Sequence, residues 1–269
     1  MTGNDSGGKA VEMEIADGLA VLTLNRPDAY NALNTDLADD LLAGLIECDE
    51  SSAVRAVLIT GRGAAFCAGG DIRQMQDRAD ADGNAGRFLK QLTVLLHAAI
   101  ATMARMQKPV ITAVNGPAAG AGFSLAIAGD LVLAAETARF TMAYTGIALA
   151  PDGSSTFYLP RLVGMRRAYE LICSNRALTA AEARDLGLVT DALPADGFAE
   201  AARAYAAKLA AGPTGALGEA KKLLALSAES SLETQMEHER RAIAACGNTD
   251  DFREGVDAFL NKRPPRFGG

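Results

Sequence analysis

"GPAAGAGFSLA" (116–126) follows an apolar run, "KPVITAVN" (108–115), and carries almost no side-chain bulk. A β-branched run handing over to Gly and Ala predicts a strand entering a helix that begins near Ala121. Small residues at that handover let something approach the main chain: a phosphate, a neighbouring element, or a reacting carbonyl. A dinucleotide fingerprint needs G-x-G-x-x-G, and here Leu125 stands where the third glycine belongs. A P-loop needs a Lys after its last glycine, and the stretch has none. Close helix–strand packing and approach by a carbonyl both stay open.

A second stretch of the same kind, "GRGAAFCAGGDI" (61–72), follows another apolar run, "VRAVLIT" (54–60). Two such turns at the ends of neighbouring strands can each aim one backbone N–H at a shared point. A helix start there adds its positive dipole end. Paired N–H donors of this sort stabilise a developing oxyanion, and losing one typically costs about 3 kcal/mol.

Around these turns the pattern is strand–helix–strand. "VEMEI" and "LAVLTLN", separated by "ADG", predict a hairpin over residues 11–25. Leu37, Leu41 and Leu45 step at helical spacing behind Asn34 or Thr35 as cap, and Leu89, Leu92, Leu96, Ile100 and Met103 mark a long amphipathic helix. "PVITAV" (109–114) and "DLVLAAE" (130–136) are further strands. This alternation predicts an α/β core over residues 11–195 built from right-handed crossovers. Beyond it, "FAEAARAYAAKLAA", "GALGEAKKLLALSAE", "LETQMEHERRAIAAC" and "DDFREGVDAFLNK" predict a helical C-terminal subdomain over 196–269. Residues 1–10 are polar and read as a flexible tail without the apolar core of a secretory signal.

Composition narrows the function classes. With 26 Lys and Arg against 33 Asp and Glu the net charge is −7, and no basic run supports nucleic-acid binding. No stretch approaches the roughly 20 apolar residues of a membrane span. Cys48, Cys67, Cys173 and Cys246 are scattered without a C-x-x-C. They predict buried free thiols in a reducing, cytoplasmic setting and no metal cage.

At the two turns the chain resembles the crotonase superfamily of enoyl-CoA hydratases and isomerases. "LNRPDAYNALN" (24–34), "AFCAGGDI" (65–72), "KPVITAVNGPAAGAGFSLAIAGD" (108–130), "PDGSSTFYLPRLVG" (151–164) and "FLNKR" (259–263) match that family's motifs in order and spacing. The resemblance implies a crotonase-like spiral of ββα turns with the C-terminal helices serving oligomerisation and CoA cover. It implies a homotrimer or homohexamer, an acyl-CoA substrate, and no cofactor besides the coenzyme A of that substrate. It also implies that the N–H groups of Gly70 and Ala121 form an oxyanion hole for a thioester.

The proton-handling groups name the reaction. The two glutamates that hold water in hydratases of this family fall at Ser124 and Tyr144, and a hydroxyl ionising far above pH 7 is a poor general base. One acid remains in the region, Asp152 in "APDGSS". By itself D-G-S-S suits a turn or helix cap. The motif is similar, however, to that of the ring-epoxide phenylacetyl-CoA isomerases and related enoyl-CoA isomerases, in which the matching aspartate is catalytic. That resemblance implies Asp152 as proton shuttle and favours isomerisation. Chlorobenzoyl-CoA dehalogenases of the same superfamily offer another reading, with a nucleophilic aspartate at Asp152 and a histidine at His97; their tryptophan falls at Tyr144. The resemblance is also compatible with a hydratase that uses atypical water-binding residues, and with a relative that binds acyl-CoA without catalysis.

The resemblance places CoA across Ala29, Ala68, Asp71 and Ile72, and counts Pro151 among the residues that bind substrate or CoA. Phe259 and Lys262 would cover it, from this subunit or a neighbour. Family members often carry Lys where Asp28 stands, which leaves Arg26 and Lys262 as compensating phosphate contacts. Met142, Tyr144, Phe157 and Tyr158 are candidate pocket walls or plain core.

Overall fold

The computed structural model describes residues 8–268, so most of the tail read over residues 1–10 lies outside the described residues. Ala10, its last residue, is tied down through its N–H, which donates to Asp40 Oδ2 at 2.7 Å.

The first hairpin pairs β1 (Val11–Ala16) with β2 (Leu19–Leu24) around Gly18, whose φ of 81° only glycine adopts freely. Helix α1 (Thr35–Glu50) follows, with Asn34 as cap accepting from Leu37 N–H. Then come β3 (Ala56–Gly61), α2 (Ile72–Asp82) and the 21-residue α3 (Ala85–Arg105). The next segment runs β4 (Val110–Val114), β5 (Ala118–Ala119), α4 (Ala121–Ile127), β6 (Leu131–Ala135) and β7 (Arg139–Thr141). After it lie α5 (Ser155–Val163), α6 (Met165–Ser174), β8 (Leu178–Thr179), α7 (Ala180–Asp185) and β9 (Asp191–Leu193). Four helices complete the chain: α8 (Phe198–Ala210), α9 (Thr214–Ser227), α10 (Leu232–Cys246) and α11 (Asp250–Leu260).

The strands form two sheets, β1-β2-β3-β4-β6-β9 and β5-β7-β8. In the larger sheet every pair after the hairpin is parallel. The segments β4–β5–α4 and β6–β7–α5 are successive ββα turns, each leaving one strand in either sheet. The sequence reading missed β5, β7, β8 and β9 because strands of two or three residues show no period. It missed α2 because "IRQMQDRADAD" has no apolar stripe.

Both faces of the central strands β2, β3, β4 and β6 are buried, and the pleat divides them. Val57, Ile59, Val110 and Val114 join the main core with α1, α3 and α4, while Ala56, Leu58, Ile111 and Ala113 face Phe198, Ala202 and Ala206 of α8. Strands end at Leu193, and α8 closes the second face of the sheet.

Two lysines cap long helices. Lys108 Nζ donates to the carbonyls of Cys48, Asp49 and Ser51 at the end of α1. Lys221 Nζ donates to Met103 O in the last turn of α3 and pairs with Asp130 at 2.7 Å. Of the four cysteines, Cys48 and Cys67 are buried and burial pushes both thiols up to about 11. Cys173 is exposed and Cys246 half-buried, which corrects the expectation of four buried thiols.

Candidate active site

The two glycine-rich turns lie against each other. A parallel bridge joins Cys67 to Ala118, with Ala119 N–H donating to Cys67 O at 3.0 Å. A Cβ on Gly122 would stand 2.0 Å from Cys67 O, and one on Gly116 would stand 2.2 Å from Ala64 O. Close backbone packing is therefore what demands glycine at 116 and 122. The approach of a ligand is left to the residues between them.

A second parallel bridge joins Leu33 to Gly70: Leu33 N–H donates to Gly69 O, and Asp71 N–H to Leu33 O. Both bonds use the neighbours of Gly70, so its own N–H points away from Leu33. On the other turn α4 starts at Ala121, and the first N–H groups of a helix have no intrahelical acceptor. Among the described residues neither N–H finds a protein acceptor. Gly70 and Ala121 line one cavity of about 480 Å³, together with Ala68, Ile72, Tyr144, Pro151 and Asp152.

The far wall of that cavity is α3, through Leu89, Leu92, Thr93 and Leu96, with Lys90 beside them. Leu33, Met75, Ile147 and Leu149 complete an apolar lining. The leucine stripe of α3 was legible as an amphipathic helix, without its place on a cavity. Met75, Ile147 and Leu149 carried no signal, since they come from a polar helix and an irregular loop.

Asp152 is the single carboxylate among the described lining residues. It stands in a loop that begins with a 3-10 turn at Tyr144–Ile147, flanked by Ala143 and Ala148 at φ of 58° and 60°. Asp152 Oδ1 accepts from Tyr144 Oη at 2.7 Å, and Tyr144 Oη lies 2.8 Å from Ser124 Oγ. Asp152 O accepts from Ser124 Oγ at 2.9 Å and from Ser155 Oγ at 2.8 Å. Burial, and then the neighbouring Asp152 carboxylate, hold the Tyr144 phenol well above its ordinary value, so it stays protonated. Ser124 is fully buried behind Tyr144 and is not on the cavity wall. His97 reaches the same loop from α3, its Nε2 accepting from Gly153 N–H at 3.2 Å, and likewise does not line the cavity.

The residues read as CoA contacts divide. Ala68, Ile72 and Pro151 line the cavity. Arg26 and Asp71 instead pair with each other at 2.9 Å, and Asp71 Oδ1 also accepts from Gln74 N–H at the start of α2. Ala29 sits half-buried in the turn Pro27–Ala29, away from the cavity wall. Phe259 is 84% exposed and Lys262 is exposed just beyond α11, so this chain alone does not bring them to the cavity. Of the aromatic and Met candidates only Tyr144 lines it; Met142 is core, and Phe157 is exposed against the Arg161 guanidinium. Among the described residues no cluster of His, Cys, Asp or Glu is placed to hold a metal ion, and no helix is long and apolar enough to cross a membrane.

Comparison with known proteins places the whole chain. A family model described as enoyl-CoA hydratase/isomerase matches residues 14–269. A Rhodobacter capsulatus protein named "Probable enoyl-CoA hydratase" is 42% identical over 96% of this chain and 98% of its own. The 1,2-epoxyphenylacetyl-CoA isomerase of Escherichia coli is 36% identical over 95% of this chain and 97% of its own. The crystal structure of an enoyl-CoA hydratase from Polaromonas sp. JS666 superposes with a TM-score of 0.90 at 34% identity, covering 96% of this chain and 99% of that one. These matches extend over both sheets and the C-terminal helices.

Proposed function

This chain belongs to the enoyl-CoA hydratase/isomerase family, and we propose that within it the protein is an isomerase that moves a proton along an acyl-CoA with Asp152. The observation that carries this reading is the position of Asp152: among the described residues it is the one acid on the cavity wall that also holds Gly70 and Ala121.

The chemistry follows from those three groups. A thioester carbonyl seated between the two turns would receive the N–H groups of Gly70 and Ala121. Asp152 then takes a proton from the carbon chain, and the electron pair of the broken C–H bond moves onto the thioester oxygen. The fixed amides favour that charged oxygen more than the neutral carbonyl, which is what lowers the barrier. Return of the proton from Asp152 to a different carbon completes an isomerisation without a redox partner or a metal.

Hydration is a second reading, favoured by the higher identity to the hydratase-named protein than to the isomerase. It would need a water held by the hydroxyls of Ser124 and Tyr144. Those hydroxyls are instead bonded to each other and to Asp152, which supports isomerisation over hydration. Assays of 3-enoyl-CoA isomerisation beside crotonyl-CoA hydration separate the two. Isomerisation abolished by Asp152→Asn is the expected result. Hydration that survives that change, with no isomerisation in the parent protein, overturns the reading.

The assembly belongs to the same proposal. Ile243, Phe252, Phe259 and Leu260 on α10 and α11 are all more than half exposed. Such apolar surface suits burial against further copies of the chain, as a trimer or a pair of trimers, and would carry Phe259 and Lys262 to a neighbour's CoA. Sedimentation of the purified protein as a monomer would sink this part.

A further inference from the structure

We propose that Tyr144, backed by Ser124, is a positioning residue that makes Asp152 a one-oxygen proton carrier. The inference rests on the reading of Asp152 as acid and base, and it assigns work to two hydroxyls that replace the carboxylates of a hydratase.

A hydroxyl has one proton to donate, and an ionised carboxylate can only accept. The Tyr144 proton is therefore committed to Asp152 Oδ1 across 2.7 Å. Ser124 Oγ lies within reach of Tyr144 Oη at 2.8 Å and of Asp152 O at 2.9 Å, so its proton closes the cluster from behind whichever it serves. Tyr144 is 8% exposed and Ser124 fully buried, so the bonds between them and to Asp152 are formed out of solvent. The buried phenol stays neutral, so it acts as a donor and not as a base. Asp152 Oδ2 accepts no protein hydrogen bond among the described residues, whereas Oδ1 is occupied. That leaves Oδ2 as the oxygen for a carbon-bound proton.

The step then balances simply. A C–H bond of the substrate breaks, an O–H bond forms at Oδ2, and the electron pair goes to the thioester oxygen. While the carboxyl holds the proton, Oδ1 is its carbonyl oxygen and still accepts from Tyr144. The side chain has no reason to turn over, and the proton goes back from the same oxygen to the same face of the acyl chain. Isomerisation should proceed with little uptake of solvent hydrogen.

The test is Tyr144→Phe, which removes one oxygen and keeps the ring. The expected result is a kcat lower by about 10- to 100-fold with KM changed by less than about threefold. Product formed in D2O should carry more deuterium than product of the parent enzyme. Ser124→Ala should move the same two readouts in the same direction by less, and it serves if the phenylalanine variant fails to fold. An unchanged kcat and deuterium content, or an effect confined to KM, overturns the proposal. A readout without turnover separates this failure from that of the functional reading: with 13C-labelled aspartate, the Asp152 carboxyl resonance at neutral pH should differ between Tyr144→Phe and the parent, because Oδ1 loses its donor. If that difference appears while Asp152→Asn still isomerises, the contact stands and the catalytic reading falls.

Discussion

The two halves of the site are held by different means. The turns at 61–72 and 116–126 are fixed backbone against backbone, with carbonyls of one turn filling the space where side chains of the other would be. The loop at 143–154 is fixed by side chains: a phenol, a buried hydroxyl and an imidazole hold Asp152 and the amide after it. The first half presents two N–H groups without a protein acceptor among the described residues. In the proposed reading the second half decides which protons move, so such a fold would keep its donors while its chemistry is rewritten at a few side chains.

The comparison can be broken at either half. The largest effect is expected from Asp152→Asn, which should reduce isomerisation by about 10³-fold and leave thermal stability and acyl-CoA binding near parental values. A loss of binding in equilibrium dialysis would mean that the loop shapes the cavity and does not only serve chemistry. Next comes Gly122→Ala, whose methyl would meet Cys67 O at 2.0 Å. Backbone on both sides leaves nothing to give way, so a loss of about 3 kcal/mol is expected in urea unfolding. A mild result there would show that the turns can part, and that their amides are less fixed than the packing implies.

Alkali offers a gentler probe of the side-chain half. Burial raises the Tyr144 phenol above its ordinary value of 10.0. A group raised in the folded state contributes stability that is complete below the unfolded value and declines as pH rises through the folded one. Above pH 10 the parent should therefore lose up to about 1.4 kcal/mol per pH unit more than Tyr144→Phe does, read from urea midpoints across the alkaline range. Parallel curves would place the phenol in water. Smallest is His97→Ala, which removes the acceptor of Gly153 N–H and should cost about 1 kcal/mol with a modest fall in kcat. An exposed imidazole is easily replaced by water, and a null effect would narrow the anchoring of the loop to Tyr144 and Ser124.

How much of this was legible in the sequence follows the same division. Long elements showed themselves through period: the hairpin at 11–25, the leucines of α1, the stripe of α3. The turns showed themselves through missing side chains, although not the reason, since Ala64 and Cys67 lie more than 50 residues from the positions where their carbonyls demand glycine. Asp152 stood out as a lone acid within a motif. Nothing local to Ser124, Tyr144 or Asp152 announced that three side chains spread over 28 residues would share one cluster. Asp71 was placed on CoA by the resemblance, and Arg26 was offered in place of the family lysine absent at Asp28; in the fold each satisfies the other. Phe259 and Lys262 lie beyond what one chain can decide.

The lysine caps have an electrostatic consequence. Each long helix ends in a negative pole, and amines of Lys108 and Lys221 neutralise that pole on α1 and α3. Helix α3 lines the cavity with residues 89–96, and its opposite pole is capped by Asn84, whose Oδ1 accepts from Arg87 N–H. Two cations of a protein with net charge −7 are thus committed to helix ends inside the fold.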